Sequence, residues 1–379
     1  MIHNLNKHIV FHENPLSFDK NTERDILQYC LGGTLYMPST RKIADKIIKN
    51  SISELTSMVM CFEDAISHND LPFGEANVIE ELDKLHRAFK NKELSIDNLP
   101  LIFLRVRDIK QFLSFTTKLS NEHAQILTGF VFPKFYSDNA AEYLEQLDNL
   151  NKKLGTKLYG MPILEGESIA NVETRVSELI KLKSIIDPFK NIILNIRIGG
   201  TDFSSLFGVR RGMNTSIYDI LPVRDIISDI LNFFSRTSEE YTISAPVWEY
   251  FLAYNDDNIE KYIDKSMNLS LITNEVIVNP AIDGLLREVT RDIANGMIGK
   301  TVIHPSHLRF VNSMQAITKE EYEDALQIIN AEGGVMKSKG GNKMNEVGPH
   351  KSWAIKVCRR AKVYGVIENE NDYLTLFKK

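Results

Sequence analysis

Eight short apolar runs, each followed by a longer amphipathic segment, constrain the fold of this chain most strongly. The runs are typical of buried β-strands, and the segments between them carry apolar residues at three- and four-residue steps, as helices do. Strands that alternate with helices favour a parallel sheet. Eight such units predict a closed (β/α)8 TIM barrel, with an open doubly wound sheet as the alternative. The runs begin at Thr34, Ser57, Leu101, Gly129, Leu158, Ile192, Tyr241 and Lys300.

The length of 379 residues suits a large α/β barrel with additions. A glycine- and lysine-rich segment begins at Ala331 and precedes a last helical pattern that lies outside the eight-fold count. We therefore expect a barrel domain over residues 1–332 and a C-terminal lid or oligomerisation arm over residues 333–379. The polar segment Tyr254–Asn279 reads as an insertion before the last barrel helix.

The composition excludes several classes of protein. The net charge of −5 gives no sign of a nucleic-acid-binding surface, and three scattered cysteines form no CxxC pair of a zinc site. We expect no signal peptide, because a basic region followed by an apolar one is missing from the first residues. No apolar run approaches the roughly 18 residues of a membrane span. These features predict a cytoplasmic protein that binds neither nucleic acid nor membrane.

Ionisable residues follow almost every predicted strand. Because catalytic groups of a TIM barrel lie at the carboxyl ends of its strands, we expect these side chains to converge on one site. The competing interpretation is that such charges merely cap helices or face water, but convergence from several strands weakens it for the set. The residues concerned are Arg41, Glu63, Asp64, Arg105, Arg107, Lys134, Glu165, Asp202 and His304.

Carboxylates and guanidinium groups in one pocket suggest a specific chemistry. Glu165 and Asp202 are candidates to hold one Mg²⁺, an ion that typically takes one or two carboxylates and completes its shell with water and substrate oxygens. Arg105 is suited to clamp a substrate carboxylate or to face an enolate oxygen. A metal and an arginine beside an oxo or hydroxy acid stabilise the enolate that forms when a carbon–carbon bond breaks.

Other motifs give weaker signals. The segment GGTDFSSLFG, which begins at Gly199, does not fit a phosphate-binding loop, and HPSHL lacks a third ligand that would make His304 and His307 a metal site. His304 is therefore expected to bond backbone or substrate. The pair Arg210–Arg211 either binds an anionic group or faces water, and its flanking glycines favour a ligand role for Arg210. Cys61, inside an apolar run, is interpreted as a buried structural thiol.

Taken in order along the chain, these motifs resemble the citrate lyase β-subunit-like enzymes of the HpcH/HpaI aldolase superfamily. The subgroup they resemble more closely is that of the carbon–carbon bond lyases of the TIM-barrel fold. The resemblance covers nearly the whole chain. The segments that carry it are LYMPSTRKIADKII, VMCFEDAI, LRVRD, VFPK, PILEGES, IGGTDFSSLFG, GKTVIHPSHLRFVN and GGNKMNEVGPHKSWA.

The resemblance implies roles for individual residues. It places Glu165 and Asp202 on Mg²⁺, Arg105 on the substrate, and the acidic pair Glu63–Asp64 close to the metal and its waters. In several relatives, an acid of the tail reaches the active site of the neighbouring subunit. The matching residue here is Glu346, so the resemblance implies a homo-oligomer, a trimer or a multiple of it.

Three departures from the family pattern point to a different substrate. Glu346 replaces an aspartate, Arg107 stands where the family often has asparagine, and the segment Tyr254–Asn279 is long. The candidate substrate-binding residues are Arg41, Arg107, Lys134, Arg210 and His304, and their charge suits a small anionic metabolite, either a CoA thioester or a phosphorylated acid.

The sequence therefore predicts a Mg²⁺-dependent carbon–carbon lyase in which Arg105, Glu63, Asp64 and Glu346 are catalytic. Two alternatives keep the same fold. One is a catalytically silent metabolite-binding or regulatory module. The other is an acyl-CoA thioesterase or a malate-synthase-like enzyme.

Overall fold

Eight parallel strands form one sheet in the order β7-β6-β5-β4-β3-β2-β1-β8. The structure is a computed structural model that describes residues 11–52, 54–237, 241–251, 279–341 and 343–377. Each of the eight predicted apolar runs overlaps one strand, and two of these strands, β1 and β4, begin one or two residues before the predicted run. The strands are β1 Gly33–Pro38, β2 Ser57–Cys61, β3 Leu101–Arg105, β4 Leu127–Phe132, β5 Tyr159–Leu164, β6 Ile196–Ile198, β7 Ile243–Ser244 and β8 Lys300–Val302.

Backbone hydrogen bonds join the two outermost strands of this order and close the sheet. The amide of Ala245, just after β7, donates to the carbonyl of Gly299 at 3.1 Å, and the amide of Thr301 in β8 donates to the carbonyl of Ala245 at 3.1 Å. Closure leaves the sheet without a free edge. The predicted (β/α)8 TIM barrel is thereby confirmed.

Helices fill the connections between the strands and pack against the outer face of the barrel. Their ends follow local sequence signals. The Asp108 side chain caps α4 by accepting from the amide of Gln111, and α6 ends at Gly155 with a left-handed φ of 59°. The helices in this part of the chain are α1 Arg24–Leu27, α2 Ala44–Ile48, α3 Leu71–Lys90, α4 Ile109–Thr116, α5 Asn121–Ile126, α6 Ala140–Leu154, α7 Glu167–Ala170, α8 Val172–Ile186, α9 Gly200–Leu206, α10 Leu221–Phe234 and α11 Pro280–Ala294.

Among the described residues, no helix combines the length and the apolar character that crossing a membrane requires. The predicted insertion Tyr254–Asn279 lies outside the described residues except for Asn279. The side chain of Asn279 caps α11 by accepting from the amide of Ile282 at 2.9 Å.

Alternation along the strands separates the inside of the barrel from its outside. Leu101 and Phe103 of β3 belong to the cluster inside the barrel, together with Val59, Val131, Met161 and Ile163. The residues between them, such as Ile102 and Leu104, belong to the cluster under the helices. Since successive side chains of a strand point to opposite faces, the inward series of β3 continues to Arg105 and that of β5 continues to Glu165.

The end of the chain packs on the barrel as well as on its own helices. After the barrel come α12 Leu308–Ser313, β9 Ile317–Thr318, α13 Lys319–Ile329, β10 Val335–Lys337, β11 Met344–Glu346, α14 Val347–Tyr364, β12 Val366–Ile367 and α15 Asp372–Leu376. Strand β12 pairs with β9, and Ala354 and Val357 of α14 share a small apolar cluster with Ala325 and Ile328 of α13. The domain boundary expected between residues 332 and 333 falls between α13 and α14, the two helices that pack together in this cluster.

A buried ionic network ties two loops at the mouth of the barrel to α11 and β8. Arg211 donates to Glu249 at 2.8 Å and also to Glu288, and its guanidinium lies 4.8 Å from the ring centroid of Trp248. Lys300 of β8 meets Glu288 and Asp292 of α11, each at 2.9 Å. Arg211 is thus a structural residue and not the ligand contact considered for the Arg210–Arg211 pair.

Replacing Arg211 tests this role. We expect Arg211→Met to lower the free energy of unfolding by about 3 kcal/mol, because it removes the cation that pairs with Glu249 and leaves Glu288 with Lys300 alone. The neighbouring Arg210 is exposed, so Arg210→Met should change it by less than about 0.5 kcal/mol. Urea denaturation of the two variants makes the comparison, and equal effects would contradict the structural assignment.

Candidate active site at the carboxyl ends of the barrel strands

Arg105, the last residue of β3, lies at the centre of a group of carboxylates. Its Nη2 atom is 2.6 Å from Glu63 Oε2, 3.3 Å from Asp64 Oδ2 and 3.4 Å from Glu165 Oε1. Arg105, Glu63 and Glu165 are buried, whereas the Asp64 side chain is 60 % exposed. The sequence places these residues at the ends of three different strands, and the barrel brings them together.

Lys134 contributes a second cation at the rim of the site. Its backbone has a left-handed φ of 45°, which is uncommon for a residue with a side chain. Its amide donates to Glu165 Oε1 at 2.7 Å, and its ammonium group donates to Glu63 Oε1 at 2.8 Å. Lys134 therefore fixes Glu63, which follows β2, and Glu165, which follows β5. Its partly exposed side chain stays accessible from the mouth of the barrel.

Glu165 and Asp202 lie on either side of Gly199. A Cβ atom on Gly199 would fall 2.3 Å from Glu165 Cβ, 2.6 Å from Glu165 Oε2 and 3.1 Å from Asp202 Oδ2. Any side chain at residue 199 would thus occupy the space that the two carboxylates share. Asp202 is in the first turn of α9 and faces Glu165 because that helix begins directly after β6.

The surroundings shift the pKa values of these carboxyl groups apart. Burial, opposed by the charge of Arg105 and assisted by that of Asp202, raises the pKa of Glu165 to about 8. Burial also raises the pKa values of Asp202 and Glu63. For Asp64, partial burial acts to raise the pKa, but the hydrogen bond with Glu63 and the charges of Arg105 and Lys134 outweigh it, so the pKa is lowered. Asp64 is therefore the carboxylate that is best suited to remain ionised.

The site opens into a cavity of about 450 Å³ in the mouth of the barrel. This volume is within the range of small-molecule sites in proteins. Residues in or just after seven of the eight strands line it, among them Tyr36, Asp64, Arg105, Glu165, Arg197 and Asp202. The cavity is therefore large enough for a small organic acid.

The donor set fits Mg²⁺ better than a metal that needs a complete cage of protein ligands. Among the residues that the structure describes, no group of three or more His, Cys, Asp and Glu side chains is arranged to hold a metal ion. Glu165 and Asp202 provide two adjacent carboxylates, and Mg²⁺ commonly uses one or two and keeps its waters. Among the described residues, the cations in contact with this group of carboxyl groups are Arg105 and Lys134, so an additional positive charge would reduce the repulsion between the carboxylates.

The comparison with known proteins decides the family. The sequence model of a family described as the C–C bond lyases of the TIM-barrel fold matches residues 25–366. This chain belongs to that family of carbon–carbon bond lyases. The match confirms the family that the ordered motifs predicted, and with it the prediction that the protein is a carbon–carbon lyase.

Solved structures are similar to this chain to different degrees. The lyase shares 15 % sequence identity and a TM-score of 0.54 with protein CitE from Mycobacterium tuberculosis in complex with magnesium, acetoacetate and coenzyme A, over 88 % of this chain and 99 % of that one. A HpcH/HpaI aldolase/citrate lyase family protein from Burkholderia cenocepacia J2315 matches at 10 % identity and a TM-score of 0.42, over 74 % of this chain and 91 % of that one. At 15 % identity, the likeness to CitE shows the fold alone. No curated protein sequence matches the chain.

Arg107 has a different role from the substrate contact expected of it. Its guanidinium donates to the backbone carbonyls of Phe62 at 3.0 Å, Glu63 at 3.3 Å and Ile66 at 3.0 Å. It is not among the residues that line the cavity. Arg107 in this lyase therefore holds the loop that carries Glu63 and Asp64. The predicted substrate contact is wrong because the partner of a guanidinium depends on which loop packs beside it, and the sequence does not show that loop.

The structure places three further candidates away from the cavity lining. Arg41 and Arg210 are exposed in the loops after β1 and α9. The ring of His304 stacks on Phe251 with the two centroids 4.4 Å apart, and its Nδ1 lies 2.6 Å from Ser306 Oγ. His304 thus matches the expectation of a residue that bonds its own loop, whereas a substrate contact has no support in this arrangement.

Glu346 is exposed on β11, and its amide lies 3.1 Å from His350 Nδ1. It does not line the cavity of its own chain. Its suggested role in a neighbouring subunit stays a prediction.

Two residues of the cavity did not stand out in the sequence, Tyr36 of β1 and Arg197 of β6. Arg197 is 1 % exposed, and it donates to Thr301 Oγ1 at 2.7 Å and to Thr34 Oγ1 at 3.3 Å. Its guanidinium lies 5.3 Å from the ring centroid of Tyr36. The available signal was a charged residue between the apolar Ile196 and Ile198, at a position that strand alternation turns inward.

The raised pKa of Glu165 predicts a pH-dependent stability. Between its ordinary pKa of 4.5 and the folded value of about 8, the folded state holds a proton that the unfolded chain has lost, so stability falls as the pH rises through this window. We expect Glu165→Gln to remove a decline on the order of a few kcal/mol. Chemical denaturation across this pH range, with a chelator present, measures it.

The exposed Glu142 of α6 offers the matched control. Glu142→Gln should leave the pH profile of the free energy of unfolding as it is in the unaltered protein. A profile that is also unchanged in Glu165→Gln would contradict the assignment.

Proposed function

We propose that this lyase cleaves or forms a carbon–carbon bond in a small oxo or hydroxy acid, or in its acyl-CoA thioester, through an enolate. The observation that carries the proposal is the group of four carboxyl groups around the buried guanidinium of Arg105 at one end of a cavity. A group of this kind supplies positive charge where a negative oxygen develops, and supplies carboxylates for a metal and for proton transfer.

Glu165 and Asp202 are the proposed Mg²⁺ ligands. Their adjacency across Gly199 and their raised pKa values support this role, because a cation between them would relieve the repulsion between their charges. When bound, Mg²⁺ supplies Lewis-acid polarisation of a substrate oxygen. The CitE structure that shares this fold was solved with magnesium, which is in line with the assignment.

Arg105 is the proposed partner of the enolate oxygen. Its guanidinium is fixed by Glu63 at 2.6 Å and lines the cavity, so its orientation is set before substrate arrives. A donor that is oriented in advance stabilises developing charge without reorganisation during the reaction. Lys134 and Glu63 act as positioning residues, because each contacts other groups of the site through short hydrogen bonds.

Asp64 and Glu346 are the proposed proton carriers. The lowered pKa of Asp64 keeps its carboxylate ionised and able to accept a proton at the cavity wall. Glu346 is exposed on the β10–β11 hairpin and does not line the cavity of its own chain. Such a position suits a residue that serves the active site of a second subunit. The proposal therefore includes a homo-oligomer, a trimer or a multiple of it, with sites completed by the neighbour.

The proposal is tested by removing one metal ligand. We expect Asp202→Asn to weaken Mg²⁺ binding at least about tenfold, because it takes away one of two anionic ligands. Titration calorimetry measures this affinity, with Asp225→Asn on the exposed face of α10 as the control. The same variant should slow deuterium exchange of the pyruvate methyl group in D₂O, which proceeds through the enolate and is followed by NMR.

Unchanged Mg²⁺ affinity in Asp202→Asn would overturn the ligand assignment. Metal binding without any pyruvate exchange in the unaltered protein would contradict the enolate mechanism and favour a silent binding module.

The contribution of Glu346 is tested by mixing two variants. Glu346→Gln and Asp202→Asn should each lose exchange activity. Co-refolded or exchanged into one oligomer, they should regain part of it, since an intact metal pair of one subunit then meets an intact acid of another. Glu332→Gln, an exposed acid near the same hairpin, is the matched control and should stay active. Mixed oligomers without activity would contradict a site shared between subunits.

A further inference from the structure

Arg197 is a fully buried cation that meets no carboxylate among the described residues. Its hydrogen-bond partners are hydroxyl groups, those of Thr301, Thr34 and Tyr36, and its Nε has no partner. Arg105, Arg175 and Arg211 are also buried, but each of them contacts a carboxylate. Arg360, in the C-terminal part of the chain, donates to the backbone carbonyl of Gln315 and is not in the cavity. A buried charge without an opposite charge is costly, so this arrangement is expected where a ligand brings the missing charge.

The guanidinium of Arg197 is in the same cavity as the carboxylate group around Arg105, but deeper. Arg197 pairs in register with Ile163, two residues before Glu165 on the neighbouring strand. Two residues of a strand span roughly 7 Å, which is close to the length of a four-carbon acid. One small molecule in the cavity can therefore reach both ends.

Tyr36 provides the second donor at this deep end. It lines the cavity beside Arg197, and burial raises the pKa of its hydroxyl group, which therefore keeps its proton. The free Nε–H of Arg197 and the Tyr36 hydroxyl offer two donors, a number that matches the two oxygens of a carboxylate. A phosphate group would bring a third oxygen and a second charge, for which the described residues at this end of the cavity provide no further cation.

We propose that Arg197 and Tyr36 bind a second carboxylate of the substrate, so that this lyase acts on a dicarboxylic oxo or hydroxy acid. This inference rests on the proposed function, because it assumes that the other end of the same molecule reacts beside Arg105. Arg197 is then the residue that selects a dianion over a monoanion of the same shape.

The experiment compares succinate with its half-amide, which has the same shape and one charge less. In the unaltered protein with Mg²⁺, calorimetry should show succinate binding at least about tenfold more tightly than the half-amide. Arg197→Met should abolish that preference and weaken half-amide binding little. Tyr36→Phe should reduce the preference in part. Arg224→Met, the same change on the exposed face of α10, should keep it.

A second readout separates this role from a structural one. If Arg197 is unpaired until ligand binds, Arg197→Met should raise the melting temperature of the ligand-free protein by a few degrees, since a buried charge without a partner is removed. A structural arginine would show the opposite sign. A lower melting temperature together with a preserved succinate preference would overturn the proposal.

The outcomes also distinguish this proposal from the proposed function. Equal affinity of the unaltered protein for succinate and the half-amide overturns the carboxylate subsite, and so does tighter competition by inorganic phosphate than by the half-amide at this end. Arg197→Met should bind Mg²⁺ as the unaltered protein does in the absence of any acid. If Asp202→Asn instead keeps its Mg²⁺ affinity while the succinate preference persists, the metal assignment fails and the subsite stands.

Discussion

The contacts of one buried guanidinium, that of Arg105, organise the mouth of this barrel. Three carboxylates, two after β2 and one after β5, lie within 3.4 Å of it. A guanidinium can satisfy several acceptors because its donors form a planar fork. Without Arg105, Glu63 and Glu165 would be buried anions. With Arg105 alone, however, the site keeps an excess of negative charge. The raised pKa values of Glu165 and Asp202 express that excess, and it is the physical reason why a divalent cation suits the place.

The same alternation that builds the core delivers these charges. Leu101 and Phe103 point into the barrel, and two residues later Arg105 follows them. Fold and site could therefore be predicted together, because eight apolar runs with helical periodicity between them define the barrel, and the residues after each run define its mouth. The contacts that could not be predicted join elements that are far apart in the sequence. The pairing of β12 with β9 joins segments about 50 residues apart, and the packing of α14 on α13 joins segments about 30 residues apart. No local pattern signals either contact.

Charged residues at strand ends were predictable as a set but not one by one. Arg210 and Arg211 are adjacent, yet one is exposed and the other bonds Glu249 and Glu288 in the interior. Arg107 follows Arg105 by two residues and ends on backbone carbonyls instead of substrate. The partner of a long cationic side chain depends on elements far away in sequence. Arg197 was not predicted because it lies within strand β6, whereas the sequence analysis considered the ionisable residues that follow the strands.

The two ends of the cavity therefore carry opposite excess charge. Its upper end carries more carboxylates than cations, and its lower end carries a cation among hydroxyl groups and aromatic carbon. A ligand with charge at one end only would satisfy one of these ends and leave the other unbalanced. A metal ion at the upper end and a carboxylate at the lower end would balance both, because each end would then meet a group of opposite charge. The orientation of such a ligand would follow from charge alone, which leaves the reacting carbon atoms beside Arg105 and the loop of Asp64.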